Sequence, residues 1–279
     1  MTSLRIVAAG RGRTMSLPKI VDTVLQLAGQ KSTVNIVYLG TATYDKQEPY
    51  LVQTEGYRRL SQCQVVKLDV SEAAQKPLPS IEAIQATLEA AHVVLVSGGN
   101  TLYAMNRWKE LGIDKILKSI AGSTVLCGGS AGAIVWFQDG HSDSMDPTTF
   151  LNVDPNLTEE QKKDWKYIRV NGLGMLPLLC VPHHDVTQSN GFPRSLDSDA
   201  MMLHDPEQLC LGIDENAALV VDGDIVRVVS GDDIAQCYLK KCIRTNDGYD
   251  VVAHAASESH KLIPLVDLLQ GNIPWDDVG

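Results

Sequence analysis

Residues 124–137 read TVLCGGSAGAIVWF: a run of strand formers, one serine among glycines and alanines, then an apolar run compatible with a helix. GGSAG fits G-x-S-x-G, in which a tight strand-turn-helix bend strains the serine and projects its hydroxyl at the sheet edge. The N–H of the next residue, Ala131, then points to where a carbonyl oxygen becomes negative, as does the amino end of the following helix. A match to the pentapeptide alone is common, and a Gly/Ala-rich turn packs tightly without any chemistry. Its setting, STVLC before and AIVWF after, is what selects the nucleophile reading of Ser130.

Around this elbow, short runs rich in Val, Ile and Leu recur: LRIVAAG, VNIVYLG, QVVKLDV, HVVLVSGG, STVLCGG and LLCVPHH. Near-continuous apolarity over so few residues predicts strands buried on both faces of a parallel sheet. The segments between them, LPKIVDTVLQLAG, SIEAIQATLEAA and NTLYAMNRWKELGIDKILKSIAG, carry helical periodicity. Strand and helix alternate from residue 4 to about 138. The expected fold is therefore α/β, a mostly parallel sheet with helices on both faces, with functional groups at the carboxyl ends of the strands.

After residue 138 the chain turns polar and irregular, with a short helix expected near Thr158, and this long segment reads either as a lid or wall of the site or as a tolerated surface insertion. CLGIDENAALVVDGDIVRVVSG and QCYLKKCIRTNDGYDVVAH then read as strands, with turns at Asp222-Gly223 and Asn246-Asp247-Gly248. Residues 1–230 are assigned to an α/β catalytic domain and 231–279 to a β-containing extension packed on it, ending in a tail, GNIPWDDVG, read as loosely held.

The serine needs partners at the same edge. SGGNT ends the preceding strand and opens a helix, so Gly99 is the candidate second oxyanion donor, and Asn100 is both an N-cap and a candidate substrate contact. The opening AAGRGRTM has only G-x-G, Met15 standing where a dinucleotide fingerprint needs glycine, and no nucleotide cofactor is expected. Among seven histidines, LLCVPHHD places a histidine just past a buried strand, at the functional edge. His92 begins a strand and His204 lies in a polar turn, which suits structural or solvated roles. A metal reading of HHD, with His141 or Asp143 as further ligands, lacks clear ligand spacing and leaves the elbow unexplained. For the orienting acid, CLGIDENAALVV offers Asp214 and Glu215.

These residues together resemble the serine peptidases that include dipeptidase E and cyanophycinase, relatives of the class I glutamine amidotransferase-like fold. The likeness covers most of residues 4–230: SGGNT, then GGSAGA, then PHHD in place of a Pro-His-aromatic segment, then GIDENAALVV in place of a Gly-x-x-Glu. The resemblance implies Ser130 as nucleophile, His183 as base and Glu215 as orienting acid, with His184 in the place of the aromatic and lining the pocket. The order serine, histidine, acid separates it from an α/β-hydrolase, which would run serine, acid, histidine and could use Ser130, Asp205 and His254. An esterase and a catalytically silent binding protein remain alternatives. The insertion HSDSMDPTTF and roughly fifty residues past the last shared strand depart from dipeptidase E, so restriction to amino-terminal aspartyl dipeptides does not transfer.

Composition sets the outer limits. A chain of 279 residues, 44% hydrophobic, can bury one sizeable core. Its net charge of -10 repels nucleic acid and anionic membranes at long range, leaving short peptides and small molecules as substrates. Six cysteines without a C-x-x-C pair read as free thiols, the start MTSLRIVAAGRGR has too short an apolar stretch for a secretory signal, and no later stretch approaches the length of a membrane span. A soluble cytoplasmic enzyme is expected, with a homodimer left open. Asp143, with Asp146 as the fallback, is the expected anchor for a peptide's amino group, unless both are solvated loop acids.

Overall fold

The computed structural model describes residues 4–29, 31–74, 77–258 and 262–272. Residues 273–279 of the tail therefore lie outside the described residues. The expected parallel strands form as β1 (Arg5–Ala9), β2 (Val34–Leu39), β3 (Cys63–Leu68), β4 (Val93–Val96) and β5 (Val125–Gly129). They are followed by β6 (Phe137–Ser142), β7 (Ile168–Asn171), β8 (Leu176–Pro182), β9 (Cys210–Ile213), β10 (Ala217–Asp222), β11 (Ile225–Ser230), β12 (Cys237–Thr245), β13 (Gly248–Ala256) and β14 (Ile263–Pro264).

The described strands divide between two sheets. The first runs β14-β11-β10-β1-β5-β4-β2-β3, parallel from β1 through β3 and antiparallel at its β10, β11 and β14 end. The second runs β13-β12-β9-β8-β6-β7, with β6, β8 and β9 mutually parallel. The sequence pattern points to one sheet and does not show this division, because LLCVPHH is as apolar as the strands of the first sheet. Strands β12 and β13 extend the second sheet through β9, and β14 extends the first through β11.

Strict alternation along β1 explains the continuous apolar runs. Ile6 and Ala8 enter the larger core, with the helices Thr101–Leu111 and Ile113–Ile120 and the inner face of the second sheet. Val7 and Ala9 enter the opposite core, against the helix Pro18–Leu27. Strand β10 alternates in the same way, Leu219 and Val221 to one side, Ala218 and Val220 to the other. Both faces of the sheet are thus dry, and hydrophobic burial favours every position of the strand.

Local departures from the sequence reading have local causes. The long helical segment after Asn100 is two helices, because Gly112 adopts φ +71° between them and caps the first. The helix after Ser130 is only Ala131–Ile134, since the β-branched and aromatic run that follows feeds β6 directly. Near Thr158 there is a capped turn rather than a helix: the Gln161 side chain accepts from the Thr158 N–H at 2.9 Å, and the Thr158 hydroxyl accepts from the Gln161 N–H at 3.2 Å.

The elbow itself leaves no room for side chains. A Cβ on Gly128 would stand 2.5 Å from the Gly132 carbonyl oxygen and 2.6 Å from that of Val96. Gly128→Ala should therefore destabilise the chain by about 1–3 kcal/mol or more, read as a fall in the urea midpoint at constant m-value. An unchanged midpoint would show that β4, β5 and the following turn are less tightly joined.

Candidate active site

Ser130 follows β5, between β1 and β4, and takes φ +58° and ψ −119°, a conformation that L residues rarely adopt. Neighbouring backbone holds it there: its N–H donates to the Ala9 carbonyl at 3.1 Å, and a Cβ on Gly129 would meet the Arg11 carbonyl oxygen at 2.1 Å. His183 follows β8 of the second sheet and also has positive φ, +52°. Such strain concentrates where a side chain must be aimed.

The three side chains form one line. Ser130 Oγ lies 3.0 Å from His183 Nε2, and His183 Nδ1 lies 2.7 Å from Glu215 Oε1. A carboxylate only accepts, so the proton between them sits on Nδ1 and leaves Nε2 free to accept the serine proton. The hydrogen bond from His183 holds the Glu215 carboxyl below its ordinary range, against its partial burial and with help from the nearby Arg11 charge. Glu215 stays ionised at neutral pH. Asp214 turns the other way, its Oδ2 accepting from the Gln236 N–H at 2.9 Å.

A cavity of about 380 Å³ opens beside the serine, lined by Arg11, Arg13, Glu48, Gln53, Gly99 and His183 among others. Of the amides flanking Gly99, Gly98 donates to Gln53 Oε1 at 3.1 Å and Asn100 to the Ala42 carbonyl at 2.7 Å. Gly99, at φ +125°, lies between these two committed donors, and a Cβ there would strike the Ala42 carbonyl oxygen at 2.3 Å. Ala131 begins the short helix, whose first N–H groups have no acceptor within the helix.

Three expected substrate contacts are corrected. Asn100 is buried and used at both ends: its Oδ1 caps the helix Thr101–Leu111 through the Tyr103 N–H, and its Nδ2 donates to the Ser144 carbonyl at 3.0 Å. It ties down the loop after β6 rather than facing substrate. His184 is buried away from the cavity, its ring 4.5 Å from that of Tyr238 and its Nδ1 3.5 Å from Asp214 Oδ1. Successive side chains at a strand end point oppositely, so aiming His183 at the serine aims His184 at β9 and β12.

Asp143 has no free charge to offer an ammonium group. Its Oδ2 accepts from Arg194 Nη1 at 3.1 Å and from Gln188 Nε2 at 3.0 Å. Arg194 is fully buried, with Nη2 donating to the His141 carbonyl at 2.7 Å and the guanidinium over the Tyr167 ring. Burial alone would raise the Asp143 carboxyl, but the Arg194 charge, the His183 ring and Gln188 outweigh it and hold the group below its ordinary value. Beside this pair, burial lowers His141 to about 4, so at neutral pH its uncharged ring donates from Nε2 to Asp197 Oδ1 at 2.8 Å. Asp146 caps a short turn through the Thr148 N–H. Of the α/β-hydrolase set, Asp205 pairs with Arg169, and His254 lies on β13, the outer strand of the second sheet.

Sequence reasoning missed four residues that hold the site. Arg11 Nη1 donates to Glu215 Oε2 at 2.9 Å, Thr14 Oγ1 donates to the Glu215 carbonyl at 2.6 Å, and Asp185 Oδ1 accepts from the Glu215 N–H at 2.9 Å. Gln53 is the fourth, beneath Gly98. The available signal was positional: Arg11 and Thr14 follow β1 at the same edge as the elbow, and Asp185 directly follows the two histidines.

The chain matches the model of peptidase family S51 over residues 6–229. It is 26% identical over 232 residues to a Trypanosoma brucei brucei protein named G2/mitotic-specific cyclin-1, covering 74% of this chain and 68% of that one. It is 32% identical over 150 residues to the uncharacterized peptidase YgaJ of Bacillus subtilis, covering 53% of this chain and 62% of that protein. A solved peptidase from an acI-B1 Actinobacterium has the same fold, with a TM-score of 0.60 at 18% identity, covering 94% of this chain and 98% of that one. A candidate peptidase E from Listeria monocytogenes EGD-e superposes with a TM-score of 0.55 at 16% identity, covering 81% and 98% of the two chains.

The Asp143–Arg194 pair gives a stability prediction. Removing one partner of a buried pair leaves the other uncompensated, so Asp143→Ala should destabilise by about 3–5 kcal/mol. Because the native carboxyl is held below its unfolded value, the pair's contribution is complete above pH about 4 and disappears as pH falls through the lower native value. Urea midpoints from pH 3 to 7 check this; equal wild-type and variant midpoints at pH 7 would contradict it.

Proposed function

Because the chain belongs to peptidase family S51, a family of serine-type hydrolases, we propose that it hydrolyses short peptides through a Ser130, His183 and Glu215 triad. The observation that supports this most is the unbroken line of hydrogen bonds, 3.0 Å and 2.7 Å, joining a strained serine to an ionised carboxylate through one imidazole. Ser130 Oγ attacks the peptide carbonyl as its proton passes to His183 Nε2, and the tetrahedral oxyanion is held by the Gly99 and Ala131 N–H groups. His183 then gives that proton to the leaving amine, the C–N bond breaks and an acyl-serine remains. Water, deprotonated by His183, attacks the acyl-serine; the bond from the acyl carbon to Ser130 Oγ breaks as His183 returns the proton to that oxygen, and the acid is freed. Glu215 keeps the imidazole in the productive tautomer and stabilises its cation throughout.

The expectation that the enzyme acts near a peptide's amino end moves to a different residue. Glu48 is the one carboxylate among the residues lining the cavity; it is exposed and sits in the first turn of the helix Gln47–Gln53. In this reading Glu48 takes the ammonium group that Asp143, already paired with Arg194, does not. The net charge of -10 and six free cysteines fit a cytoplasmic enzyme whose partners are short peptides rather than nucleic acid or membrane. Among the described residues, no helix is long and apolar enough to cross a membrane, and no group of three or more His, Cys, Asp or Glu is placed to hold a metal ion.

Ser130→Ala should keep its circular dichroism and urea midpoint while kcat on a short peptide falls by about 10⁴ to 10⁶. A folded variant that retains wild-type kcat would end the serine reading. Wild type should also prefer a free over an amino-acetylated peptide in kcat/KM. In Glu48→Gln that preference should shrink by roughly twofold to fivefold, the size expected of an exposed ion pair. A preference untouched by Glu48→Gln would assign the ammonium group elsewhere.

A further inference from the structure

The glycine-rich opening GRGRTM, too short of glycines for a dinucleotide fingerprint, packs against the triad acid instead. It reaches Glu215 at two points, through the Arg11 guanidinium on Oε2 and the Thr14 hydroxyl on the backbone carbonyl. It also reaches the nucleophile, since the Arg11 carbonyl fills the space a Gly129 side chain would need. Arg11 thus stands at the mouth of the cavity, in contact with the acid and beside the serine.

We propose that Arg11 is a positioning residue of the catalytic relay: by holding Glu215 Oε2 it leaves Oε1 alone to face His183, and its charge offsets part of the carboxylate's pull on the imidazolium. The proposal rests on the triad reading above. Its physical basis is that a glutamate side chain held by a single hydrogen bond keeps rotational freedom, whereas two bonds from different directions fix the carboxylate plane. The remaining carboxylates around the relay act in the opposite sense. Asp143 faces His183 from the end of β6, Asp185 and Asp214 lie beside Glu215 in the turns after β8 and β9, and Glu48, with the Arg13 cation, lines the cavity that His183 shares. Arg194, on the far side, is committed to Asp143. Arg11 is therefore the cation that bears on Glu215 directly. Its side chain is 52% exposed, so solvent screens the pair and the effect is expected to be modest.

The test measures pH profiles of kcat and kcat/KM for wild type, Arg11→Met and Arg11→Lys, each first confirmed to be folded by its urea midpoint. With the offsetting charge gone, Glu215 stabilises the imidazolium more strongly. The acid limb of kcat/KM should therefore move up by roughly 0.2 to 0.7 pH unit in Arg11→Met. kcat should fall severalfold with little change in KM, and Arg11→Lys should return the limb most of the way to wild type. In a Glu215→Gln background, adding Arg11→Met should cause little further loss of kcat, because no carboxylate remains to be held in place. An unmoved limb in Arg11→Met, a loss carried wholly by KM, or an equally large Arg11→Met loss of kcat in the Glu215→Gln background would overturn the proposal. A failed triad reading shows itself separately, as Ser130→Ala with undiminished hydrolysis.

Discussion

The site depends on a single glycine backbone where the two sheets meet. The Gly10 N–H donates to the Ala217 carbonyl at 3.0 Å, at the start of β10, and its carbonyl accepts from the His183 N–H at 3.2 Å, at the end of β8. A Cβ on Gly10 would stand 2.0 Å from the Asp214 carbonyl oxygen, so the chain carrying the acid crosses in direct contact with the chain leaving β1. The ends of β8 and β9 are thereby registered against the Gly10 backbone, while Ala9 just before it accepts the Ser130 N–H at the end of β5, so the first sheet supplies the serine and the second the histidine. Neither sheet holds the relay alone. Glu215 lies in the link where the chain passes from β9 of one sheet to β10 of the other, which places it between them.

This arrangement explains which parts of the account could be read in the sequence. Strands such as VVLV and VLCGG are dry on both faces, so their apolarity marks them without ambiguity, and Gly-Gly-Ser-Ala-Gly leaves few conformations other than a tight elbow. The assignment of LLCVPHH to a second sheet was not legible, because burial in one sheet or the other selects the same residue types. The length of the helix after the elbow was not legible for a related reason: the apolar run after Ala133 suits either a buried helix or a strand, and pairing of Phe137 with Leu176 starts β6 three residues after the helix ends at Ile134.

The side-chain roles divide along a different line. Ser130, His183 and Glu215 belong to short motifs whose backbone conformation is set locally, and they meet as expected from those motifs. Asn100 was expected at the site from the neighbouring strand end, Asp143 from a loop returning to its mouth and His184 from the family position of an aromatic, but a polar group that becomes buried must find partners. Each found them inside the protein: Asn100 in the loop after β6, Asp143 in Arg194, and His184 against Tyr238 and Asp214. The partner that decides Asp143, Arg194, stands 51 residues further along the chain, a separation at which no local pattern points from one residue to the other. The loop after β6 therefore acts as a wall fastened by buried polar bonds, and the cavity's other charges come from Arg11 and Arg13, in the turn after β1, and from Glu48 in the helix Gln47–Gln53.

The central claim is that Ser130 alone is activated as a nucleophile by the His183 and Glu215 pair. Incubation of the wild-type protein with a fluorophosphonate at pH 7.5, followed by peptide mass mapping, tests it most directly. One adduct per chain is expected, on Ser130, with labelling strongly slowed in His183→Ala. Absence of an adduct, or modification of a different serine at comparable rate, would contradict it.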